Sequence, residues 1–263
     1  MFGRVAASKW AAFFLLALAI VGSPVAARAQ LQVDVAALDP ALLASPAPVA
    51  AEPFGLKTVP ATNGTLSAKW SGVAADIRAE SDILAHCRDH SRPCPPAAQK
   101  FLAVIAEGRA HDGRARIGIV NRDINMAIRA TSDLAQWGVP DRWSAPLATL
   151  STGRGDCEDY AIAKYVALQA AGIDESDLRL VIVHDLAIDE DHAVVTVRFA
   201  ASWLVLDNRW LTLVEDSEMR RVVPLFVLAH DGVGQFAPTT VADMRPTIAP
   251  AAAVAVAPSA LGL

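Results

Sequence analysis

Gly153-Arg154-Gly155-Asp156-Cys157-Glu158-Asp159-Tyr160-Ala161-Ile162-Ala163-Lys164-Tyr165 is the stretch on which the fold turns. Two glycines lead the chain to Asp156, and Ala161, Ile162, Tyr165 and Leu168 then follow at helical spacing. Gly172 stands where a left-handed residue closes such a helix, so a helix is expected from Cys157 to Ala171. Asp156 is the expected N-cap. Cys157 therefore opens the helix, where unpaired N–H groups and the positive end of the macrodipole favour a thiolate over a thiol. The same amides are the donors an oxyanion hole requires.

Working outward, three segments upstream have helical periodicity: Lys69 to His86, Ala97 to Glu107 and Ile117 to Ala130. A loop rich in Trp and Pro, Trp137 to Pro146, joins them to the cysteine. Downstream the period changes to that of strands, over Leu178 to His184, His192 to Phe199 and Trp203 to Asp207, with Arg221 to Ala229 as a further short run. Helices first and an antiparallel meander after give an α+β fold, N-terminal helices packed on an antiparallel β-sheet.

A histidine opens one of these strands and an aspartate ends the next. With Ala200-Ala201 at the hairpin turn, Asp207 faces Val194 and its side chain shares a sheet face with His192, one diagonal away. A one-residue slip would send the two to opposite faces. In this register a carboxylate can orient an imidazole, and the imidazole can take the proton of Cys157. Each signal alone has a plainer reading: a small buried cysteine, a satisfied strand histidine, an Asp-Asn turn.

The run Gly155 to Lys164, with Leu168 and Gly172, resembles the signature of the bacterial transglutaminase-like cysteine proteinases, the family of LapG-like periplasmic proteases. The resemblance takes in Asn121-Arg122-Asp123-Ile124-Asn125, Asp141 to Pro146, His192-Ala193-Val194 and Val205-Leu206-Asp207-Asn208. It implies a papain-like, transglutaminase-like core, with the catalytic Cys, His and Asp falling on Cys157, His192 and Asp207. It also implies dependence on calcium, a large exported adhesin as substrate and, in some members, an inner-membrane receptor that sequesters the protease. Ser144-Ala145-Pro146 departs from the family pattern, in which Thr is expected before the Pro.

Asp156, Glu158 and Asp159 crowd three carboxylates around a residue that should become an anion, and like charges raise a thiol's pKa. In one resolution these acids complement the helix start and partly face water. In the other they hold a hard cation, and oxygen ligands in one turn suit Ca²⁺. Asp185, Asp189, Glu190 and Asp191 form a second acidic patch, expected to be a solvated loop between strands.

The chain has three cysteines. Cys87 and Cys94 lie close together and are expected to pair, leaving Cys157 free. His86, Cys87, His90 and Cys94 could instead bind zinc, but in an oxidising compartment the disulfide is the expected reading.

The ends bound the rest. Arg4 and Lys9, the apolar run Ala11 to Val21 and Ala27-Arg28-Ala29 read as a secretory signal peptide over residues 1–29. That places the mature chain in the periplasm, with no segment long enough to span a membrane. Removal of Arg4, Lys9 and Arg28 takes the formal charge from −5 to −8, which argues against a nucleic-acid partner. Residues 30–62 read as an Ala/Pro linker, 63–237 as the domain, and 238–263 as a disordered tail. The function expected is a cysteine endopeptidase acting on an exported protein. Two alternatives stand beside it: a transglutaminase or amidase, and a non-catalytic calcium-binding recognition module.

Overall fold

The computed structural model describes residues 52–62 and 64–237. The expected signal peptide, the first part of the linker and the tail lie outside the described residues.

Helix α1 spans Gly64–Arg88, α2 Pro96–Arg109 and α3 Gly113–Ala127. Leu66, Trp70 and Val73 of α1 are buried at the expected spacing. Phe101, Val104 and Ile105 of α2 meet Ile117, Val120 and Ile124 of α3 in one core. These two helices cross closely because Gly108 has no side chain; a Cβ there would lie 2.8 Å from Val120 Cγ2.

The third helix ends earlier than its periodicity suggests. Arg129–Ala130 forms a short strand, β2, parallel to β3 at Arg154–Gly155. Arg129 N donates to Gly153 O at 2.9 Å and Thr131 N to Gly155 O at 2.9 Å. Tyr160 Oη adds a bond to Ile128 O at 2.6 Å. Backbone pairing next to the cysteine thus takes over the last turn of the expected helix. Two short helices flank the Trp/Pro loop, α4 (Asp133–Trp137) before it and α5 (Pro146–Thr152) after it; neither is evident from periodicity. Glu80 of α1 caps α5, its carboxylate accepting from Leu147 N at 2.8 Å and Ala148 N at 3.0 Å.

Helix α6 runs Cys157–Ala170. Gly172 has φ +100°, and Ile173 N reaches Leu168 O at 3.0 Å, the left-handed closure expected there. The helix is not merely apolar on one face. Tyr160 to Tyr165 are all buried, because α6 lies between β4 and β5 on one side and α2, α3 and α5 on the other.

The strands are β1 (Thr58–Pro60), β4 (Leu178–Asp185), β5 (Glu190–Phe199), β6 (Ser202–Leu206), β7 (Val214–Glu215), β8 (Val222–Ala229) and β9 (Gly232–Phe236). They form one antiparallel sheet in the order β1-β9-β8-β4-β5-β6-β7. Leu180, Val195, Leu204 and Leu206 face the helical core. Val181, Val183, Val194 and Val205 form a second cluster on the other side, with Phe54 and Leu56 packed over it. Residues 52–62 are therefore not linker. They cover the sheet's outer face, Phe54 meeting Phe236 edge to face at 6.3 Å, and add its edge strand. Burial on both faces is why these strands read as Val-rich runs rather than clean alternation.

Cys87 and Cys94 form a disulfide, with Cα atoms 4.9 Å apart. Both sulfurs are thus spent, and the zinc alternative falls. Among the described residues no helix is long and apolar enough to cross a membrane.

Candidate active site

The β5–β6 hairpin has the register that brings His192 and Asp207 together: Val195 pairs with Leu206 and Phe199 with Ser202, so Asp207 continues the ladder opposite Val194. Ala200 makes the turn at φ +56°. His192 Nε2 meets Asp207 Oδ1 at 3.0 Å. Both residues are buried, Asp207 to 2% exposure. With Asp207 ionised, Nε2 is the donor and Nδ1 is left to accept a proton. Burial pushes the Asp207 carboxyl up, but hydrogen bonds from His192 and Arg209 outweigh it and hold the group well below the usual carboxylate range.

Cys157 opens α6 and is the free cysteine. The first helical bond is Tyr160 N to Asp156 O at 3.2 Å, so the amides of residues 157–159 stand outside the ladder. Cys157 and His192 line the same cleft of about 310 Å³, whose apolar walls are Leu66, Trp143, Ile182 and Phe226. The thiol does not bond to His192. It donates to Glu158 Oε2 at 3.0 Å. Burial first, then the Glu158 carboxylate, push the thiol well above its ordinary range, although the Ala193 amide works the other way. In this state the sulfur is held as a thiol.

The acids beside it are not where a helix cap would put them. Asp156 holds the N-cap position but makes no capping bond, and Asp159 is 1% exposed rather than turned to water. Asp133, Asp156 and Asp159 bring one oxygen each within 4.8 Å of one another, and Asp133, Asp141 and Glu158 do the same. Burial and neighbouring carboxylates raise Asp156 to about 8. Burial raises Asp159 to about 7, against a bond from the Ser144 amide, which reaches Asp159 Oδ1 at 2.9 Å. Asp133 is raised too, chiefly by burial. Asp133 Oδ1, Asp156 Oδ1 and Asp159 Oδ2 are buried with no hydrogen-bond partner among the described residues. Orphaned hard oxygens on three clustered carboxylates are what a divalent cation would satisfy, and the residues fit one. Gly155 permits the arrangement, since a Cβ there would lie 2.6 Å from Asp159 Oδ2.

The sequence profile of the bacterial transglutaminase-like cysteine proteinases (BTLCP) matches residues 78–219. The chain belongs to this family. Legionella pneumophila LapG shares its fold at a TM-score of 0.50 and 21% identity, over 59% of this chain and 86% of that one. The EGTA-treated form of LapG matches equally, over 84% of its length. A calcium-bound LapG structure aligns at TM-score 0.40 and 19% identity, over 54% of this chain and 92% of that one. No curated protein matches the chain. Family membership makes the chain a transglutaminase-like cysteine peptidase, whose substrate is a protein.

Of the residues expected at the site, Cys157, His192 and Asp207 all reach the same end of the sheet–helix sandwich. Asp156 and Asp159 fall in one carboxylate cluster and Glu158 in the other, with Asp133 common to both. Asp133, which opens α4, and Asp141, in the Trp/Pro loop, lie in a stretch without periodicity, so the sequence does not single them out. The second acidic patch is also not simply a solvated loop. Asp185 is buried and takes Arg209 Nη1 at 2.7 Å, while Asp191 and Asp189 bracket His184 at 2.9 and 3.1 Å.

Proposed function

We propose that this cysteine peptidase is an endopeptidase that acts in the periplasm on an exported protein, a large surface adhesin, through a Cys157-His192-Asp207 triad. The observation that carries the reading is the free helix-opening Cys157 on the wall of the cleft that also holds His192, itself bonded to Asp207. His192 Nδ1 takes the thiol proton, and the sulfur attacks the scissile carbonyl. The free amides of residues 157–159 receive the oxyanion. His192 returns its proton to the leaving amine, and water then releases the acyl group from the sulfur by the same route in reverse order. The Cys87–Cys94 disulfide supports an oxidising compartment.

Asp133, Asp156 and Asp159, with Glu158 and Asp141 beside them, would hold calcium. Bound there, the ion supplies positive charge at the helix start. Charge supplied there would favour the ionised forms of Asp156 and Asp159 and offset the like charges that Glu158 and Asp156 set against the Cys157 thiolate.

The test compares exported and surface proteins from cells carrying the parent chain, the Cys157→Ala chain or neither. A protein should be shortened only where the parent chain is present. Identical protein profiles in parent and Cys157→Ala cells would rule the proposal out.

A further inference from the structure

Asp207 has more partners than an aspartate that only orients an imidazole needs. Arg209 donates its backbone N–H to Oδ1 at 2.9 Å, and its Nε lies 3.1 Å from both carboxylate oxygens. Nη2 reaches Oδ2 at 2.7 Å. The remaining arm, Nη1, is anchored on Asp185 Oδ2 at 2.7 Å, at the end of β4. Oδ2 is thus occupied by Arg209 alone, while Oδ1 is shared with His192.

On the helix side lies a competitor. Lys164 of α6 is 1% exposed, and its Nζ has no hydrogen-bond partner among the described residues. Its Nζ stands 5.9 Å from the centroid of the Tyr160 ring. Burial lowers Lys164 to about 7, and Asp207 is the charge that opposes this. A buried ammonium without a partner is costly, and the carboxylate whose charge it feels is the one that His192 uses.

We propose that Arg209 is a positioning residue: its guanidinium clamps the Asp207 carboxylate to Asp185 and keeps it turned to His192 instead of to the buried Lys164. The proposal rests on the triad reading above. Without the clamp, Asp207 rotates to Lys164 and His192 loses its orienting partner.

The experiment follows alkylation of Cys157 by iodoacetamide at neutral pH, in buffer containing calcium, with peptide mapping by mass spectrometry and a melting curve for each variant. Arg209→Met should slow alkylation about tenfold or more, as loss of an oriented base does. Adding Lys164→Met to that variant should return the rate to near the parent's, a recovery that a purely structural arginine would not give. Asp185→Asn, which cuts only the far anchor, should slow the reaction less and in the same direction, and serves should Arg209→Met fail to fold. A parent-like rate in the arginine and Asp185 variants overturns the proposal, as does a slow rate that Lys164→Met leaves unrelieved. If His192→Ala also reacts at the parent rate, it is the triad reading that falls, and this proposal with it.

Discussion

His192 and Asp207, fifteen residues apart in the chain, are joined by a 3.0 Å bond between two buried side chains across the diagonal of one hairpin. The register of that hairpin is what makes the bond. The turn at Ala200-Ala201 fixes it, and a slip of one residue would separate the pair.

Asp207→Asn keeps the shape but loses the charge. It should leave Arg209 bound to Asp185 alone and destabilise the fold by about 1.5–3 kcal/mol, the worth of hydrogen bonds to a charged group. Peptidase activity should fall by about 10²-fold or more, as when an imidazole is left in the wrong tautomer. Urea denaturation and cleavage of a protein substrate check the two effects separately.

The carboxylate cluster makes stability depend on pH with an unusual sign. In the folded state Asp156 is raised to about 8 and Asp159 to about 7, each from 3.8. The folded chain therefore binds protons that the unfolded chain has released, and stability must fall as pH rises between these limits. Without calcium, Tm should decline from about pH 4 to about pH 8. Calcium should flatten the decline, and so should Asp156→Asn. Melting curves across that range are the check, and a calcium-free Tm that rises over it contradicts the protonation pattern.

Gly155→Ala tests the cluster sterically. The new Cβ would sit 2.6 Å from Asp159 Oδ2 and 2.7 Å from Asp159 Cβ, so Asp159 must move. A loss of about 1–3 kcal/mol is expected from overpacking, together with weaker calcium binding by calorimetry. An unchanged calcium affinity would show that Asp159 is not among the ligands.

The disulfide closes a short loop, its cysteines seven residues apart. Replacing both with Ser should cost about 2–3 kcal/mol on the chain-entropy estimate, read as a lower urea midpoint. Iodoacetamide labelling of Cys157 should be unaffected, because the bridge ties α1 to the lead-in of α2 and does not line the cleft.

Much of this site was legible in the sequence, for identifiable reasons. The helix start at Cys157 is written in local residues, two glycines before it and Gly172 after. The His192–Asp207 pairing follows from strand period and turn position, both short-range. The second half of the carboxylate cluster was not legible. Asp133 opens the short helix α4 and Asp141 sits in the loop after it, a stretch without periodicity, and only its folding onto the start of α6 brings them to Asp156 and Glu158. The role of residues 52–62 was hidden by Ala/Pro composition, which masks Phe54 and Leu56 as a cover for the sheet. Asp156 holds the N-cap position expected of it, but its side chain makes no capping bond and joins the carboxylate cluster instead.

In the proposed mechanism His192 activates Cys157. Its most direct test is the rate of iodoacetamide labelling at Cys157 in the native, calcium-containing protein, compared between the parent and His192→Ala. The rate should fall about 10²-fold in the variant at neutral pH, the gap narrowing as alkali ionises the thiol without help. Equal rates in the two proteins would contradict it.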